Sequence, residues 1–154
     1  MVLDPFTLLV LSAAMAAASA LYLAAEWSSV RERSLLLWSA GFAIIAVGSV
    51  LALLRSSGYV LFGIWFANGL LIAAHWLFLA GVAGFMRVRL PHTWWLLAVV
   101  WLAMLFLPDG PWWSKAMLGI QSLLIAVTTL RAGLLLRPHG GALSVGAAQL
   151  RFVL

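Results

Sequence analysis

The residue in this sequence best placed to do chemistry is His75, an imidazole in the middle of an apolar run. It follows Asn68 by seven residues, an interval that returns a helix to about the same face. A polar pair of this kind is costly in lipid and belongs toward other helices rather than toward acyl chains. It suits ligand binding, proton sensing, or metal or haem ligation; it equally suits an interhelical hydrogen bond, with Gln121 as the partner. Ligation lacks a second intramembrane imidazole, because His92 and His139 fall near the ends of apolar runs. Trp65 and Trp76 flank the pair and supply apolar walls. The candidate ligand-binding set is therefore Asn68, His75, Gln121, Trp65 and Trp76, with no metal and no cofactor assigned.

Two charged residues stand inside the ends of apolar segments. Glu26 and Arg131 are a candidate ion pair, although Arg31 and Arg33 are alternative partners for Glu26. Arg131 precedes Arg137 by six residues, roughly 9 Å along a helix, so its guanidinium can also snorkel to the headgroups. Catalysis has little to work with. The chain has four acidic residues and no cysteine, and it carries no nucleophile elbow, phosphate loop or HExxH motif. The expectation is a chain without enzymatic activity.

The elements that must position these residues follow from composition. Of 154 residues, 66% are hydrophobic and 8% charged, where a soluble domain has roughly 45–50% and about 25%. So little charge cannot cover a water-soluble globule, so lipid is part of the solvent. The nine Lys and Arg form no basic stripe of the kind that binds nucleic acid. Continuous apolar runs favour helices over barrel strands, which alternate, because a helix satisfies its own backbone groups in hydrocarbon.

The sequence therefore reads as an all-α, polytopic transmembrane helix bundle forming one domain. Taking about 20 apolar residues per span, its five spans cover 6–25, 35–54, 59–86, 93–107 and 115–136. The third is long enough to tilt. The apolar stretch 142–154 reads as a truncated sixth span or an interfacial helix. Trp94-Trp95 and Trp112-Trp113 bracket the fourth span as interfacial belts, and Pro108-Asp109-Gly110-Pro111 is a turn signal.

Basic residues orient the spans. Arg31, Arg33, Arg87, Arg89, Arg131, Arg137 and Arg151 fall on one side, Arg55 and Lys115 on the other. The arginine-rich side is expected to be cytoplasmic, leaving the N-terminus outside. No basic residue precedes the first apolar run, which disfavours a cleaved signal peptide. Small residues Ser12, Ala16, Ala20 and Ala24 share one stripe of the first span and allow close helix approach. Gly41 and Gly48 of the second span, and Ala80 with Gly84 of the third, could receive them. The alternative use of the stripe is a homodimer face.

The series Glu26-Trp27, Arg31, Leu37-Trp38, Gly41, Gly48, Leu51, Arg55, followed by Trp65-Phe66-Ala67-Asn68-Gly69-Leu70, Gly81 and Phe85, resembles the N-terminal multi-span sensor region of bacterial GGDEF diguanylate cyclases. The resemblance covers residues 20–90. It implies a sensory or dimerisation module of a signalling protein in the bacterial inner (cytoplasmic) membrane, with a small membrane-soluble or periplasmic ligand. No GGDEF motif is present, so the chain itself is expected to have no cyclase activity, and the resemblance implies a module cut from, or never attached to, an output domain. The other readings are a small transporter or channel subunit, or a structural subunit of a membrane complex.

Overall fold

The computed structural model describes residues 4–53, 61–91, 95–103, 106 and 112–136. All regular elements among them are helical: α1 (Pro5–Val30), α2 (Arg33–Leu53), a π-helical turn (Leu61–Phe66) running directly into α3 (Ala67–Phe85), α4 (Leu96–Ala103) and α5 (Trp113–Leu135). Four stretches are long and apolar enough to cross a bilayer: Pro5–Val30, Arg33–Leu53, Gly63–Phe85 and Lys115–Leu135.

α1 starts where Pro5 occupies the first helical position, a place that has no use for the missing N–H. It continues past Glu26-Trp27, where the first span was expected to end. At 26 residues it is about 39 Å long, more than a hydrocarbon core of about 30 Å. Apolarity stops at the membrane edge, whereas the helix stops only at Arg31. That residue adopts a left-handed conformation (φ 57°), and its N–H donates to the Trp27 carbonyl at 2.8 Å.

The hairpin of α1 and α2 closes on small residues. Ala16 and Ala20 are buried, and the Ser39 hydroxyl donates across the interface to the Ala20 carbonyl at 2.8 Å. Ser12, at one end of the expected stripe, is exposed. The glycines of α2 face elsewhere than expected. A β-carbon at Gly41 would lie 2.5 Å from the Phe78 ring, and one at Gly48 would meet Ala67 and Leu70. Both glycines serve the α2–α3 interface, not α1.

That interface is reciprocal. Phe78 of α3 covers Gly41 of α2, while Trp38 of α2 covers Gly81 of α3. The Trp38 indole N–H also donates to the Phe78 carbonyl at 3.2 Å. In each helix the aromatic residue precedes the glycine by three positions, nearly one turn. Two antiparallel helices can then exchange ring for notch twice.

α3 is the hub. Ala67, Ala74, Phe78 and Gly81 face α2. Leu79 and Val82 cluster with Ala132 and Leu136 of α5, with Trp38, Met86 and Leu90 packed around them. Gly69, Ala73 and Trp76 face α4. Its C-terminus closes with N–H groups of Arg87 and Val88 donating to the carbonyls of Gly84 and Ala83, the pairing of a Schellman cap. Arg87 takes the left-handed position (φ 54°) that glycine usually fills.

The direction of α5 follows from chain length. Trp101 of α4 lies on Trp65 and Gly69, so α4 ends near the start of α3. Ten residue steps lead from Ala103 to Trp113, a reach of at most about 36 Å. An α5 antiparallel to α3 would put Trp113 about 34 Å past Leu79 and about 50 Å from Trp101. The chain cannot bridge that distance. α5 therefore runs parallel to α3, and Arg31, Arg33, Arg87, Arg89 and Arg131 gather at one end of the bundle.

The fourth expected span, 93–107, is represented by the eight residues of α4. They rise only about 12 Å, so α4 alone does not cross a bilayer. Trp94, the Pro108–Pro111 turn, Arg55, Arg137, Arg151, His92, His139 and the stretch 142–154 lie outside the described residues, as do the span ends at 54, 59, 93 and 107.

Candidate functional site: two faces of α3

The expected site residues divide between two faces of α3. Asn68 and His75 lie on the face that continues through Leu79, Val82 and Met86, the one that packs on α5. On α5, Gln121 and Thr128 share the buried face of Ala132. Leu79 and Val82 cluster with Ala132 and Leu136, and for parallel helices the matching intervals of three and four pair Leu79 with Ala132 and Val82 with Leu136. Asn68 is eleven residues before Leu79, and Gln121 is eleven before Ala132. Eleven residues make about three turns, so parallel helices bring Asn68 and Gln121 to one level. By the same count of four, His75 stands level with Thr128.

The polar groups along this seam are satisfied unevenly. His75 Nδ1 bonds the Leu71 carbonyl at 2.8 Å. A carbonyl only accepts, so Nδ1 carries the proton and donates. The ring also stands edge-on to Phe78, 5.8 Å between centroids. The Thr128 hydroxyl, in a residue 1% exposed, is shared between the Leu124 and Ile125 carbonyls of its own helix. Gln121 differs. It is 6% exposed, and its Oε1 has no hydrogen-bond partner. Asn68 is half-buried and forms no bond to it. The expected His75–Gln121 hydrogen bond is thus absent, and His75 bonds within its own helix.

Trp65 and Trp76 belong to another face, roughly a quarter to a third of a turn round the helix from Asn68 and His75. The Trp65 and Trp101 indoles stack at 4.2 Å with 12° between planes. Each indole N–H donates to the other's backbone carbonyl, at 3.2 and 3.1 Å. Trp101 can lie this close only because Gly69 presents no side chain beneath it. Beyond the pair opens a half-open cleft of about 600 Å³ between α3 and α4, within the range of about 300–1,000 Å³ usual for ligand pockets. Ala73 and Trp76 line one wall, Trp95 and Ala98 the other, and Leu90 and Pro91 the end nearest the arginines. Its surface is almost wholly apolar. Trp65 does not line it but holds Trp101, which does.

Trp65 and Trp76 were expected in one site with Asn68 and His75. The structure separates them, and adds Gly69, Trp95 and Trp101. The available signal was Gly69 itself, a bare position four residues after Trp65. Glu26 and Arg131 are both exposed, and no ion pair involves either among the described residues. Arg31, an alternative partner for Glu26, has its guanidinium over the Trp27 ring at 4.9 Å. No group of three or more His, Cys, Asp or Glu that could hold a metal occurs among the described residues. Comparisons with protein-family models, curated proteins and solved structures give no match.

Proposed function

We propose that this chain is a membrane-embedded sensory module of a bacterial signalling protein, working as a two-state bundle hinged at the α3–α5 seam. The observation that carries this reading is the unpartnered Gln121 Oε1 level with Asn68. A buried amide oxygen without a partner costs about 1–3 kcal/mol. An alternative arrangement in which the Asn68 amide donates to it recovers that energy, so two packings of one sequence lie close together. The seam is closed at the arginine end by Leu79, Val82, Ala132 and Leu136 and unlatched three turns away. A signal that favours the latched form shifts the population, provided that it binds the two forms differently.

Five crossings of the cytoplasmic membrane with the N-terminus outside fit this reading. Parallel α3 and α5 require the intervening chain to return across the bundle, and the arginine end meets the positive-inside rule. Output then leaves from the arginine end, toward a cytoplasmic partner or domain. The exposed face of α1, with Leu11, Met15 and Tyr22, is available for a second copy.

The test uses the absence of cysteine from the sequence. Asn68→Cys with Gln121→Cys should form a disulfide in nanodiscs, and locking it should alter hydrogen exchange several-fold at Met86–Pro91 and Arg131–Leu136. Failure to crosslink rules out the latched state. Crosslinking without any change at the arginine end favours a structural subunit over a sensor.

A further inference from the structure

We propose that the α3–α4 cleft is a lipid site, taking one acyl chain of an anionic phospholipid whose headgroup is held by Arg87 and Arg89. This site lies on the other face of α3 from the amide seam and does not depend on the sensory reading.

The shape of the cleft points to a chain. Its α3 wall runs from Phe66 to Trp76, about 15 Å of helix. Leu90, which packs against the cluster that holds Leu79 and Val82, extends it by about another turn. That makes roughly two thirds of a hydrocarbon core of about 30 Å. The cleft is therefore long, apolar and half-open, with no charged side chain in its walls.

Polar anchoring inside it is scarce. The indole N–H groups of Trp65 and Trp101 are both engaged by backbone carbonyls. An occupant gains dispersion contact along its length, and any polar part of it must sit outside. The outlet at Leu90-Pro91 is where charge appears. The left-handed Arg87 ends α3 and redirects the chain, so that exposed Arg89 directly precedes the wall residue Leu90. No acidic residue occurs between Gly63 and Ala103, and Glu32, which stands between Arg31 and Arg33 at the same end, forms no ion pair with Arg87 or Arg89 among the described residues. Juxtamembrane basic residues favour anionic lipid by roughly fivefold each. An apolar slot opening at an uncompensated arginine pair is complementary to an anionic headgroup with its chain attached.

The experiment is native mass spectrometry of the full chain released from nanodiscs of phosphatidylcholine containing a minority of phosphatidylglycerol with identical chains. One phosphatidylglycerol per chain should be retained, with a preference over phosphatidylcholine of roughly 25-fold for two arginines. Arg87→Gln with Arg89→Gln should abolish the preference while a lipid still binds. Ala73→Phe with Ala98→Phe, at positions exposed toward the cleft, should abolish retention of both lipids. Should that variant fail to fold, competition on the unaltered chain decides. Long-chain phosphatidylglycerol should displace the bound lipid, and the six-carbon-chain analogue should not. Retention that survives cleft filling, equal displacement by both chain lengths, or absence of a headgroup preference would overturn the proposal.

Discussion

Trp65 and Trp101 hold one another by their own backbones: two indoles stacked at 4.2 Å, each donating its N–H to the other's carbonyl. The carbonyl of Trp65 lies in the π-helical turn that precedes α3. π turns widen the helix and free backbone carbonyls from the regular ladder, and they recur at functional sites. Here a carbonyl in the turn and two indole N–H groups fasten α4 to the hub.

Replacing Trp101 by Phe keeps most of the stacking area and removes one donor. The expected cost is about 0.5–1.5 kcal/mol, the net worth of a hydrogen bond. The same change at Trp65 should cost a similar amount. Because both bonds depend on one stacked geometry, the double variant should cost less than the sum, measurable by reversible unfolding in mixed micelles.

The glycines of the bundle should divide by what they face. Gly81→Ala puts a methyl group into the Trp38 ring, and Gly41→Ala one against Phe78. Overpacking of this kind costs about 1–3 kcal/mol. Gly119→Ala meets nothing within 4 Å and should instead stabilise α5 by up to about 1 kcal/mol through helix propensity. Thermal melting of the three variants in one detergent compares them directly.

Much of this arrangement was legible in the residues. Trp38-Ser39-Ala40-Gly41 and Phe78-Leu79-Ala80-Gly81 repeat one spacing, and an antiparallel pairing of the two segments follows from it. The stripe of small residues on α1 does pack on α2 through Ala16 and Ala20, but the α2 glycines expected to receive it face α3 instead, since a notch records only that something approaches and not what. The helix of α1 outlasted its apolar run because the backbone ladder is indifferent to where lipid ends. The division of the candidate site was legible only in part. The intervals of four and seven between Trp65, Gly69 and Trp76 set one face apart from that of Asn68 and His75, but spacing does not say which helix covers each face. His75, the most conspicuous residue in the sequence, spends its Nδ1 proton on Leu71.

Arg87 should be replaceable by Gly with a gain in stability. The left-handed conformation costs a residue with a β-carbon about 1–2 kcal/mol, which glycine does not bear. The same change removes a charge from the arginine end and, under the lipid proposal, weakens anionic selectivity by roughly fivefold. Replacing Arg31, Arg33, Arg87 and Arg89 together by Gln should scramble orientation, read from reporters fused to the N-terminus, whereas Arg87→Gly alone should not.

Gln121→Leu separates two accounts of the amide seam. An oxygen that never finds a partner is only a cost, and its removal should stabilise the chain by about 1–3 kcal/mol. A latch loses its acceptor, so the variant should melt higher and yet no longer switch. Hydrogen exchange at Met86–Pro91, followed across temperature, reports the second property.

The central claim is that Asn68 and Gln121 exchange between bonded and unbonded states. Asn68 is the one asparagine in the sequence, so asparagine-selective 15N labelling in nanodiscs gives a single side-chain amide to observe by NMR. Relaxation dispersion of that amide should reveal two exchanging states, collapsing to one in Gln121→Leu. A single sharp resonance pair, unchanged by Gln121→Leu, would contradict the account.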